Sequence, residues 1–183
     1  MKIIGITGKI GSGKTTVARI LEGEGAYRLD CDEIVHELYE AHQRGAEKIQ
    51  TFFGDEFLLK NKSVNRKKLT RILIKTPKKW EILNRLIHPL VAEELRKRLK
   101  KIPNKIVALE IQIPNKKLFS EFIDELWIIE ADKAIRQSRI QSMPIEEIKA
   151  IEKQQKDLLA PNAKHINNNA SLEELEQEVK QLV

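Results

Sequence analysis

The chain has 183 residues, 41% of them hydrophobic and 33% charged, with a formal net charge of +6. That size and apolar share predict one compact domain with a small insertion, and no apolar run is long enough to cross a bilayer. The lone Cys31 excludes an internal disulfide and fits a reducing cytoplasm. The basic excess points to anionic partners; aromatics make up only 5% and do not interleave with the basic runs, so nucleotides fit better than nucleic acid.

In chain order, "KIIGIT" reads as a short, β-branched strand buried in a parallel sheet. A helix is predicted from Lys14, with Gly25 as its stop signal, followed by a second strand, "YRLD", at 27–30. From Cys31 to Lys101 the pattern is mostly helical, interrupted at "FFGDEF" and "NKSVN". Pro77 suits the first turn of the last helix in this stretch, whereas Pro89 is expected to kink or break that helix. Strands follow at 105–111, 125–131 and 164–167, with helices at 132–142, 144–158 and 171–182. Ser171 with Glu174 three residues later forms a capping-box signature. Strands alternating with helices imply a parallel sheet covered on both faces. The stretch between the second and third strands is too long for a plain crossover and is where a substrate-covering insertion belongs.

Between the first strand and the first helix, residues Gly8 to Thr15 match G-x-x-x-x-G-K-[S/T] at every fixed position. Glycines allow the backbone to turn its amides onto phosphate oxygens, and the helix start adds its positive dipole end. Gly8, Gly11, Ser12, Gly13, Lys14, Thr15 and Thr16 are therefore the candidate residues for binding the phosphates of a nucleotide, and the motif alone does not choose between a kinase, a GTPase and a mechanical ATPase. Lys14 is assigned to the outer phosphates and the Thr15 hydroxyl to Mg²⁺. A GTPase is disfavoured, because "NKKL" at 115–118 ends in Leu118 where a guanine reader needs a carboxylate, and no D-x-x-G occurs. At the end of the second strand, Asp30 and Asp32 stand at the carboxyl edge of the sheet, where ligands bind. An alcohol attacking a terminal phosphate needs such a carboxylate to take its proton.

With these residues in place, "GITGKIGSGKTTVARILEGEGAYRLDCDEIVHEL" resembles the start of the dephospho-CoA kinases, where a phosphate loop precedes an Asp-Ala-Asp strand end. "NRKKLTRILIKTPKKWEILNRLIHPLVAEEL" resembles the family's helical insertion with its His-Pro core, and "IVALEIQIP" and "HINNNAS" fall where the family has two further strand ends. The resemblance implies a P-loop NTPase three-layer α/β fold with a five-stranded parallel sheet in the order 2-3-1-4-5, spanning residues 1–183. Within it, 32–101 would contain the substrate-binding insertion and 136–158 the lid. It further implies ATP-dependent phosphorylation of the ribose 3′-hydroxyl of dephospho-coenzyme A by a cytoplasmic monomer, with no nucleic acid or membrane partner. Residue by residue, it implies Asp32 as general base, Asp30 as its strand partner, Glu110 as a Mg²⁺ contact, Asn168 near the adenine, and His88 and Arg66 at the substrate. Two alternatives share the motif: a kinase for another small hydroxyl acceptor, and a nucleotide-binding regulatory protein.

Two departures from the family stand out. Gln112-Ile113-Pro114-Asn115-Lys116 replaces a Pro-Leu-Leu-x-Glu segment, and Met143 occupies the place of a second lid arginine. A positioned arginine is worth orders of magnitude in phosphoryl transfer. Arg136 and Arg139, three residues apart on one helix, are the candidates to supply that charge.

Overall fold

The computed structural model describes residues 1–76, 78–112, 121–140, 143–155 and 162–183. They form two compact units, one made of 1–31 with 102–183 and the other of 32–101. Pro77, residues 113–116 of the altered segment and the end of the expected lid helix (156–158) lie outside the described residues.

The first unit is built on a parallel sheet of five strands: β1 (Lys2–Gly8), β2 (Tyr27–Asp30), β3 (Ile106–Glu110), β4 (Glu125–Glu130) and β5 (Lys164–Asn167), in the order β2-β3-β1-β4-β5. This is the order the resemblance implied. β1 lies at the centre, paired with β3 through Ile3↔Val107 and with β4 through Ile6↔Trp127. Its continuous apolar run is what a strand covered on both faces requires.

α1 (Lys14–Gly23) and α8 (Leu172–Gln181) pack on each other. Val17, Ala18, Leu21, Leu175 and Val179 bury their side chains with Ile4, Ile6, Ala108, Trp127, Ile129 and Ile166 in one cluster. The expected cap of α8 is present: the Ser171 side chain accepts from the Glu174 amide, and the Glu174 carboxylate accepts from the Ser171 amide. α6 (Lys133–Arg139) and α7 (Ile145–Gln154) follow β4.

Glu125, at the start of β4, accepts hydrogen bonds from Lys2 on β1 (2.8 Å), Lys164 on β5 (2.5 Å) and the Trp127 indole (2.8 Å). Burial alone would raise its carboxyl; the bonds from Lys164, Lys2 and Trp127 outweigh that and bring it down to about 2.

The second unit holds the rest of α2 (Cys31–Leu38), α3 (Arg44–Phe53), a short 3₁₀ turn (Asp55–Phe57), α4 (Arg66–Lys75) and α5 (Lys78–Leu99). The "FFGDEF" break is this turn, entered through Gly54 at φ +107°. "NKSVN" closes an isolated antiparallel bridge, Leu58↔Val64, before Asn65 caps α4 by accepting from the Lys68 amide (3.1 Å). Pro89 does not break α5, which is helical throughout Lys78–Leu99. A proline removes one main-chain bond and crowds the preceding turn. Buried Leu83, Ile87, Leu90, Val91, Ala92 and Leu95 on either side hold the helix together across that gap.

Candidate functional site

The phosphate loop runs from the end of β1 to the start of α1, with Gly8, Gly11 and Gly13 all at positive φ. At Gly11 (φ +77°) a Cβ would stand 2.6 Å from the Arg136 carbonyl oxygen; at Gly13 (φ +101°) it would meet the Asn168 amide. Only glycine fits both the conformation and the space. Lys14 folds over the loop and donates to the Gly8 carbonyl (3.2 Å) and the Lys9 carbonyl (3.5 Å). An ammonium lying on carbonyls at the loop's rim is placed to exchange them for phosphate oxygens. Thr16 sits in the first turn of α1.

Thr15 donates its hydroxyl to Oε1 of Glu110 at 2.6 Å, bringing together two residues 95 positions apart. Glu110 is 7% exposed, and its Oε2 has no hydrogen-bond partner among the described residues. A hydroxyl and a buried carboxylate with spare acceptor capacity are hard oxygen donors suited to Mg²⁺, so these residues fit the ion.

Behind the loop lies a polar support in which the sequence singled out Arg136, Arg139 and Asn168 but not Gln155 or Glu152. The Ile10 amide donates to Oε1 of Gln155 (3.0 Å), while the Ile10 carbonyl accepts from Arg136 (3.1 Å). Gln155 also donates to the Gly8 (3.3 Å) and Gln112 (2.8 Å) carbonyls. Arg136 is buried and bonds Glu152 on α7 at 2.6 Å and the Ala131 carbonyl at 3.2 Å. Arg139, three residues on, is exposed; its guanidinium reaches the Ser12 carbonyl (3.4 Å) and the Asn168 carbonyl (3.1 Å). Asn168 is buried and donates to the Ser12 carbonyl at 2.7 Å. The two arginines thus share a helix but not an environment. Lys9, Lys149, Glu152 and Lys153 line a cavity of about 440 Å³ beside this support.

At the other edge of the sheet, Asp30 ends β2 in register with Glu110 on β3. Arg28, also missed, reaches Asp30 at 3.2 Å and Glu110 at 3.6 Å. A strand's period of two puts residues 28 and 30 on one face, a signal that an arginine at 28 offered.

In the second unit, Asp32 lies in the first turn of α2, two residues beyond Asp30. Burial pushes the Tyr39 phenol well above its ordinary range; the Arg66 charge opposes this and the Asp32 charge adds to it. Two of the expected substrate residues therefore act on one phenol that the sequence did not single out. His88 is half-buried in α5, and burial holds its imidazole below the usual histidine range.

The family profile of dephospho-CoA kinase matches residues 2–174. A dephospho-CoA kinase of Hydrogenovibrio crunogenus is 31% identical, over 100% of this chain and 97% of that protein. One from Coxiella burnetii is 35% identical over 76% of this chain and 70% of its own. A solved Thermus thermophilus protein superposes with a TM-score of 0.76 at 28% identity, covering 99% of this chain and 95% of that one.

Proposed function

Because the chain belongs to the dephospho-CoA kinase family, we propose a specific division of labour among its residues. The protein is an ATP-dependent phosphotransferase that phosphorylates the ribose 3′-hydroxyl of dephospho-coenzyme A, the last step of coenzyme A biosynthesis. The observation that carries the residue assignment is the phosphate loop, whose glycines Gly8, Gly11 and Gly13 all stand at positive φ beside the Lys14 ammonium.

The loop amides and the start of α1 bind the phosphates of ATP. Lys14 leaves the Gly8 and Lys9 carbonyls for the outer phosphates. Thr15 and Glu110 hold Mg²⁺, which, when bound, offsets phosphate charge and orients the terminal group. Asp32 accepts the proton of the 3′-hydroxyl and Asp30 positions the acceptor, while Arg66 and His88 contact the rest of the substrate.

Asn168 supports the adenine end of the loop. Arg139 is the better candidate for the charge missing at Met143, being exposed and already in reach of the loop. Arg136 is buried and committed to Ile10 and Glu152, so it serves by fixing the loop's shape. Residues 32–101 cover the substrate and 136–158 form the lid; their closure keeps water from the transferring group. The described residues contain no helix long and apolar enough to cross a membrane, and we assign the enzyme to the cytoplasm as a monomer.

The test is incubation with ATP, Mg²⁺ and dephospho-coenzyme A, read as coenzyme A and ADP. Asp32→Asn should abolish transfer while ATP binding survives. Unchanged turnover in that variant refutes its role as base. With Arg139→Ala, single-turnover transfer should slow at least tenfold; a wild-type rate removes that arginine from the mechanism.

A further inference from the structure

β2 is an edge strand of the sheet and carries Arg28 and Asp30 on one face, with Asp30 opposite Glu110 of β3. Two carboxylates directly across parallel strands repel each other. They are also the donor type that divalent cations seek. Here the positive charge between them comes from the chain itself. The Arg28 guanidinium lies 3.2 Å from Oδ2 of Asp30 and 3.6 Å from Oε2 of Glu110. Glu110 spends its other oxygen on the Thr15 hydroxyl. All four side chains are at least largely withdrawn from water, so the charges act through a medium that screens them weakly. A guanidinium is always charged and has a planar fork that can address two carboxylates at once.

We propose that Arg28 is a positioning residue of the transfer site: bridging Asp30 and Glu110, it aims Glu110 at Thr15 and makes divalent-metal binding depend on the phosphates of a bound nucleotide. This rests on the reading that Thr15 and Glu110 face the metal. With Arg28 present, the pair of carboxylates is already half neutralised and offers a free cation little. The negative charge of a nucleotide's phosphates restores the attraction, so the metal comes to the site with its nucleotide. Without Arg28, the same carboxylates attract a bare cation, and Glu110 loses the contact that holds it toward Thr15.

The experiment titrates the full chain with Mn²⁺, without nucleotide and then with ADP, reading free Mn²⁺ by electron paramagnetic resonance. Arg28→Met should bind Mn²⁺ without nucleotide at least tenfold more tightly than the wild type, and Arg28→Lys should return most of the way to wild-type weakness. In turnover, Arg28→Met should lower kcat with little change in the KM for dephospho-coenzyme A. Arg28→Gln, smaller and polar, serves in the same titration should the methionine variant not fold. Equal nucleotide-free Mn²⁺ binding by wild type and variants overturns the proposal, as does a selective rise in the KM for dephospho-coenzyme A, which would make Arg28 a substrate contact. Glu110→Gln is the control that separates the two readings. If it leaves Mn²⁺·ADP binding intact, the metal assignment itself falls and takes the proposal with it. If it weakens that binding while Arg28→Met changes nothing, Arg28 alone is excluded.

Discussion

Glu125 links three strands through one carboxylate, and its removal has a calculable effect. The bonds from Lys164, Lys2 and Trp127 hold its carboxyl at about 2 against burial, compared with an ordinary value of 4.5. A difference of that size corresponds to about 3 kcal/mol favouring the folded state at neutral pH. Both lysines are more than 40% exposed, and water screens their attraction. We therefore expect Glu125→Gln to cost about 1–2 kcal/mol at pH 7. The sign with pH follows from the depression. The contribution is complete above about 4.5 and is lost as pH falls through about 2, when the folded carboxylate takes its proton.

Urea unfolding followed by far-ultraviolet circular dichroism should show the variant less stable at pH 7. The gap should then narrow steadily from pH 4.5 downward. Parallel stability curves across that range would show that the carboxylate's charge contributes nothing, and that the contacts are those of an ordinary surface pair.

Three further expectations follow from the same structure. Gly11→Ala forces an L side chain to φ +77° against the Arg136 carbonyl, costing about 1–2 kcal/mol in backbone strain alone; the KM for ATP should rise at least tenfold, measured by steady-state kinetics. Ser171→Ala removes the cap of α8 and should lower stability by about 1 kcal/mol in urea titrations without altering kcat. His88 is kept neutral by burial, so its contribution is present above about pH 6.5 and is lost as pH falls toward its depressed folded value. His88→Asn should accordingly flatten the fall in stability between pH 7 and 5, and an unchanged slope would show that this imidazole does not titrate differently on folding.

Most of the architecture was legible because it depends on local pattern. The β-branched runs, the glycines flanking Lys14 and the Ser171–Glu174 spacing each act within a few residues, and every strand lies within two residues of its expected bounds. Pro89 misled because its local penalty was outweighed by buried neighbours on both sides of it. The helix expected to reach residue 142 ends at Arg139, where the chain leaves helical geometry at Ile140.

The sequence by itself determined where the phosphate loop lies, since its fixed residues fall within eight consecutive positions. It also pointed to phosphoryl transfer, the chemistry of the family to which the chain belongs. Only tertiary structure decided what surrounds them. Gln155 holds Ile10 across 145 positions and Glu110 meets Thr15 across 95. Arg136 and Arg139, equivalent as letters on a helix, part company because one is buried against Glu152 and the other is left at the surface. Such roles depend on distance, burial and competing charges in space, quantities that no local spacing encodes.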